Sequence, residues 1–61
     1  MIVFEEEGQV IEFGTIEDTD GAPGILVKGD SIIGMYVGAE EKLEKMPNIL
    51  GKKVRIIIEI I

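Results

Sequence analysis

The last ten residues of the chain alternate between two faces at the period of a β-strand. One face carries Val54, Ile56, Ile58 and Ile60, and the other carries Lys53, Arg55, Ile57, Glu59 and Ile61. β-Branched side chains suit a pleated surface, so this pattern predicts a strand with one face in the core. The second face is charged, but Ile57 and Ile61 lie on it and need a cover. We therefore expect these two residues to contact a second copy or a partner protein.

The first half of the chain also has a β-strand pattern. Residues 2–6 and 9–17 predict either two strands or one long strand that bends at Gly8 and Gly14, with a bulge or sharp bend at Gly14. Residues 18–24 are rich in Asp, Gly and Pro and predict a turn. Residues 25–28 and 31–37 predict an antiparallel hairpin around Gly29 and Asp30, with Gly29 at positive φ in a type II′ turn.

Residues 39–46 form the one helix candidate. Ala39, Leu43 and Met46 recur at helical spacing, Gly38 precedes them as an N-cap, and Pro47 ends the pattern. Eight residues are too few to be helical alone, so the apolar stripe must pack on the sheet.

This order of elements predicts a single α+β, β-rich domain over residues 1–61. We expect a small, partly open β-barrel or meander sheet of four to five strands, with one short helix before the last strand. The order is similar to a truncated oligonucleotide/oligosaccharide-binding (OB-like) barrel or an SH3-like barrel, by architectural analogy only, because no family motif accompanies it. The predicted core contains Val10 or Ile11, Ile25, Val27, Ile33, Met35, Leu43, Met46, Val54, Ile56 and Ile58.

Composition adds a reason to expect association. A 61-residue domain has marginal stability, and a chain with no Cys and no His cannot gain it from disulfides or from common zinc ligands. The remaining sources of stability are a homodimer, dense aliphatic packing by the twelve Ile and five Val residues, or both. One Asn, one Gln and many Ile, Glu and Lys residues are typical of a thermophile protein.

Charge is uneven along the chain, whose net charge is −6. Residues 1–30 hold eight acidic side chains against Lys28 alone, whereas residues 31–61 have a net charge of +1. The acidic half is either a solubilising surface or a patch that binds a basic protein. The candidate residues for that patch are Glu5, Glu6, Glu7, Asp18 and Asp20.

Candidates for chemistry are few. No Cys or His is present, no hydroxyl has a base at a recognisable spacing, and Glu5–Glu7 suit a solvated strand edge better than acid–base work. Asp18-Thr19-Asp20-Gly21 supplies part of a calcium-loop pattern, but the twelfth position is Gly29 where a bidentate Glu is needed. We expect no enzyme activity, no cofactor, no small-molecule substrate and no metal site, Asp18 and Asp20 being weak cation candidates at most.

The sequence therefore predicts a non-catalytic protein-interaction module that forms a homodimer. The alternative is a small OB-like barrel that binds single-stranded nucleic acid through Lys52, Lys53, Arg55 and Tyr36, against which the negative charge argues. The chain starts without a basic region or long apolar stretch, so we expect no signal peptide, no membrane association and a cytoplasmic location.

Overall fold

The computed structural model describes residues 1–61 as one antiparallel sheet of four strands with one short α-helix. The elements are β1 (Ile2–Ile16), a 3₁₀ turn (Glu17–Thr19), β2 (Ala22–Gly29), β3 (Ile33–Val37), α1 (Glu40–Glu44) and β4 (Lys53–Glu59). The strand order β3-β2-β1-β4 makes β3 and β4 the two outer strands of an open sheet. The β-rich fold class, with four strands and a short helix before the last strand, is confirmed.

Strand β1 is a single long strand, as the second alternative predicted. Residues 2–9 pair with β4, and residues 8–16 pair with β2, so each half has a different neighbour. The register of β1 against β4 shifts at Val3, and its register against β2 shifts at Ile11. The bulged residues are therefore Val3 and Ile11 and not the glycines. Gly14 instead lies at φ 98°, a left-handed value that favours glycine and bends the strand.

The hairpin of β2 and β3 is antiparallel as predicted, but its turn lies one residue later. Lys28 pairs with Ile33, and the Gly29 N–H donates to the Ile32 carbonyl at 2.8 Å, so Asp30 and Ser31 form the turn. The pairing is thus offset by two residues from the predicted one, which keeps every side chain on the same face.

The prediction of positive φ at Gly29 is wrong. Gly29 does not have a positive φ. Glycine is required at this position because there is little room for a side chain. The Glu6 carboxylate accepts hydrogen bonds from the Ser31 hydroxyl and from the Ser31 N–H, the latter at 3.1 Å. A side chain at position 29 would collide with that carboxylate. The Glu6–Ser31 contact therefore joins the turn to β1.

Helix α1 is shorter than predicted. It covers five residues, its N-cap is Ala39 rather than Gly38, and no side chain caps it. Leu43 is buried, while Met46 is exposed beyond the end of the helix. Because Pro47 disfavours the helical conformation of the residue before it, the stripe cannot continue to Met46.

The core is small, with only four of 61 residues buried. They are Val10, Ile16, Gly24 and Leu43. The core prediction is confirmed for Val10 and Leu43, while Ile25, Val27, Val54 and Ile56 are half-buried. It is wrong for Ile33, Met35, Met46 and Ile58, which are exposed, and it missed Ile16. Ile33 and Met35 lie opposite Lys28 and Leu26 in the β2–β3 register, so they are on the other face of the sheet from Ile25 and Val27. Ile58 lies near the end of an outer strand, which the five-residue helix leaves uncovered.

Candidate functional site

Large apolar side chains remain exposed along both outer strands. Fourteen such residues are exposed in the chain, among them Ile33, Met35 and Val37 on β3, and Ile57, Ile58, Ile60 and Ile61 on or just after β4. Sequence reasoning had placed Ile33, Met35 and Ile58 in the core. The register places Ile33 and Met35 on the face away from Ile25 and Val27, and Ile58 lies near the end of an outer strand. We call the outward-facing side of residues 53–61 the β4 edge.

The backbone of the β4 edge has hydrogen-bonding groups without a strand neighbour. The Ile60 N–H donates to the Met1 carbonyl at 2.8 Å, and the Lys52 carbonyl accepts from the Val10 N–H at 3.0 Å. Successive residues of an antiparallel strand point their backbone groups to opposite sides, so the even-numbered residues from 52 to 60 face β1. The bulge at Val3 lies in β1 and leaves this alternation intact along β4. The N–H and C=O groups of Arg55, Ile57 and Glu59 therefore point away from β1.

The side chains of the β4 edge combine charge with uncovered Ile57. Ile57 is 48% exposed, although it lies directly opposite Glu5 of β1. Arg55 Nε lies 3.2 Å from Glu5 Oε2, and Glu59 Oε2 lies 4.0 Å from the amino nitrogen of Met1. Both ion pairs are well exposed, so each contributes less than about 1 kcal/mol. About half of the Ile57 side chain therefore remains in contact with solvent.

An apolar groove opens between the two outer strands. Its volume is about 250 Å³, and its lining includes Ile25, Val27, Gly34, Tyr36, Val54 and Ile56. A Cβ atom placed on Gly34 would lie 3.9 Å from Ile56 Cδ1, so β3 and β4 approach each other there without pairing. Ile58 lies two residues after Ile56 on the same face of β4.

The contact between Glu6 and Ser31 is the most organised polar feature. Hydrogen bonds from the Ser31 hydroxyl, and then from the Ser31 N–H, lower the pKa of Glu6 from its ordinary value of 4.5. A carboxylate stabilised in this way is a weaker base, and no third group completes a catalytic arrangement with Ser31. The pair holds the β2–β3 turn against β1. Sequence reasoning missed it because 24 residues separate its members.

The acidic candidates fall into two separate places. Glu5 and Glu7 share one face of β1 and Glu6 lies on the other, as their pairing with β4 shows. Asp18 lies in the 3₁₀ turn, and Asp20 follows it at φ 56°, beyond the opposite end of β1. The structure holds no group of three or more acidic or other metal-ligating side chains that could share an ion. The two acidic groups are thus separated by most of the length of β1.

The nucleic-acid candidates are only partly brought together. Tyr36 and Arg55 both line the groove, whereas Lys53 lines a separate polar hollow of about 430 Å³ with Lys28 and Glu7. Lys52 precedes β4 in the loop. No continuous basic stripe results from this placement.

Comparison with protein-family models, with curated proteins and with solved structures finds no match to the chain. The α-helix is not long and apolar enough to cross a membrane. The β4 edge combines backbone groups without a strand neighbour with exposed isoleucines.

Proposed function

We propose that this protein is a non-catalytic interaction module that works by associating with a second copy of itself. The observation that carries the proposal is Ile57, which lies 48% exposed on an outer strand in a chain with only four buried residues. Dimerisation is the common way for a small domain without disulfides or metal to bury more apolar surface. Most such assemblies are two-fold symmetric, so one self-complementary surface is sufficient.

The test is the oligomeric state of Ile57→Lys. We expect the wild type to be a dimer at high micromolar concentration by light scattering and sedimentation, and Ile57→Lys to be shifted towards monomer, because a lysine at that position would be desolvated on association. Ile33→Lys on β3 is the matched control, since Ile33 is also an exposed isoleucine on an outer strand. It should remain dimeric. A wild type that is monomeric throughout that range would reject the proposal.

A basic protein is a further partner that the acidic half could attract. The charge separation between the two halves of the chain supports it, but Glu6 is bound to Ser31 and Glu5 to Arg55. Reversing Glu6 would therefore disturb the β2–β3 turn as well as the charge. Glu7→Lys together with Asp20→Lys is the cleaner variant, and loss of salt-sensitive capture of the basic partner by this variant would support such docking.

Single-stranded nucleic-acid binding is the alternative function. Its support is that Tyr36 lines the apolar groove, where a base could stack, and that Arg55 supplies a positive charge on β4, although its guanidinium pairs with Glu5. Binding of a labelled oligonucleotide that weakens steeply with salt and is lost in Tyr36→Ala would favour this alternative over the dimer.

The cytoplasmic location and the thermophile origin stay predictions from composition.

A further inference from the structure

The outward-facing residues of β4 have an order that complements itself. Arg55 lies two residues before Ile57, and Glu59 lies two residues after it. A two-fold axis that relates two antiparallel strands places each residue opposite the one equally far from the centre. With Ile57 at the centre, Arg55 lies opposite Glu59 of the second copy, and Glu59 lies opposite Arg55. Opposite charges directly across an antiparallel pair are stabilising.

The backbone of β4 suits the same arrangement. The N–H and C=O groups of Arg55, Ile57 and Glu59 point away from β1, as the hydrogen bonds of Lys52 and Ile60 establish. In a pair centred on Ile57 these three residues meet each other, and each opposed pair exchanges both backbone hydrogen bonds. No rearrangement of the β1–β4 ladder is needed.

The other face of the strand would become an apolar seam. The same centre places Ile56 opposite Ile58 of the second copy, and Val54 opposite Ile60. Ile58 and Ile60 are exposed in the single chain and would be covered by this pairing. The seam continues the groove that already contains Val54 and Ile56.

Neighbouring registers fit less well. A centre at Arg55 places that arginine opposite itself, which brings like charges together. A two-fold axis at Ile56 places Lys53 opposite Glu59 of the second copy. It also places each Arg55 opposite Ile57 of the other copy, so that neither arginine meets an acidic residue. Strand β3 has no charged residue, so pairing of β3 with itself has no such selection of register.

We infer that two copies pair β4 to β4, antiparallel about a two-fold axis at Ile57, to form one continuous eight-stranded sheet. This inference rests on the proposed homodimer and names its surface and register. The occupant of the β4 edge is thus a second copy of this chain, whose matching charges set the register.

The decisive experiment exchanges the charges of the interface. In a dimer of Arg55→Glu, a Glu at position 55 lies opposite Glu59 of the second copy at both ends of the interface. In a dimer of Glu59→Arg, Arg55 lies opposite an Arg at both ends. Each variant should therefore dimerise about tenfold more weakly than the wild type. An equimolar mixture of the two variants restores opposite charges at both positions and should form a heterodimer of wild-type affinity. Lys28→Glu on β2 changes the charge by the same amount as Arg55→Glu away from the β4 edge, and it should leave dimerisation unchanged.

Cysteine cross-linking tests the centre directly. The chain has no cysteine of its own, so Ile57→Cys introduces a single thiol. Directly opposed, hydrogen-bonded residues have Cα atoms about 5.5 Å apart, within the range that a disulfide spans. Under mild oxidation Ile57→Cys should therefore cross-link into dimers, whereas Ile33→Cys should remain unlinked.

The outcomes separate this inference from the proposed function. A wild-type dimer whose charge variants and Ile57→Cys behave like the controls would overturn the β4 register and leave the homodimer in place. A monomeric wild type would overturn both. The register would also be overturned if each single variant dimerises weakly and their mixture does not regain wild-type affinity. The loss of affinity would then come from disturbed folding and not from like charges across the interface.

Discussion

Replacing Ile16 with alanine removes the most completely buried side chain of the sheet, which is 0% exposed. The change deletes three carbon atoms, and each buried methylene contributes about 0.8 kcal/mol, which gives about 2.4 kcal/mol of lost transfer free energy. A residual cavity adds to this, so we expect Ile16→Ala to lower the free energy of unfolding by about 3 kcal/mol or more. A domain of this length has roughly 3–9 kcal/mol in total, so the loss is large.

Ile11→Ala is the matched control, because Ile11 lies on the same strand and is 44% exposed. About half of the transfer free energy applies there and no closed cavity forms, so the expected loss is about 1 kcal/mol. Denaturant unfolding followed by circular dichroism, at one fixed protein concentration, measures both variants. If the two variants unfold within about 0.5 kcal/mol of each other, Ile16 does not anchor the core and the burial argument is refuted.

Two further predictions concern the hairpin and its turn. Gly24→Ala should destabilise the protein by about 1–3 kcal/mol, because its Cβ would collide with the Tyr36 carbonyl, whereas Gly34→Ala should be tolerated in denaturant unfolding. The lowered pKa of Glu6 means that its contact with Ser31 stabilises the fold fully above the unfolded value of 4.5 and less as the pH falls through the lower folded value. Ser31→Ala should therefore flatten the acid limb of a plot of unfolding midpoint against pH, and a limb parallel to that of the wild type would contradict this reasoning.

Alternation in the sequence was sufficient for the strands and for the two faces of β4, but it assigned the apolar residues of β3 to the wrong face. Residues 54–60 and the Glu5–Glu7 segment lie on the faces that a period of two assigns to them, and the hairpin prediction tolerated an offset of two residues for the same reason. The fold class followed from these local patterns together with Pro47 and the helical spacing around Leu43.

What the sequence did not give depends on contacts between distant residues. Local turn chemistry misplaced the β2–β3 turn by one residue, and the turn is in contact with Glu6, a residue of another strand. The bulges at Val3 and Ile11 are visible only in the pairing of β1 with β4 and β2. Burial at Ile33 and Met35 was wrongly predicted because the register of the hairpin places them opposite Lys28 and Leu26, on the face of the sheet away from Ile25 and Val27.

The pairing of β1 with β4 has a consequence for the order of folding. The β1–β2 and β2–β3 ladders are local hairpins, whereas the β1–β4 ladder joins Gln9 to Lys53 and Ile2 to Glu59 across nearly the whole chain. Closing the longer loop costs more chain entropy, so β4 should dock last and undock first. Amide protons of β4 should then exchange with solvent faster than those of β2, through the opening of one strand rather than through global unfolding. An undocked β4 is also long enough to dock on β1 of another copy, which makes strand exchange between copies a kinetic route open to this fold.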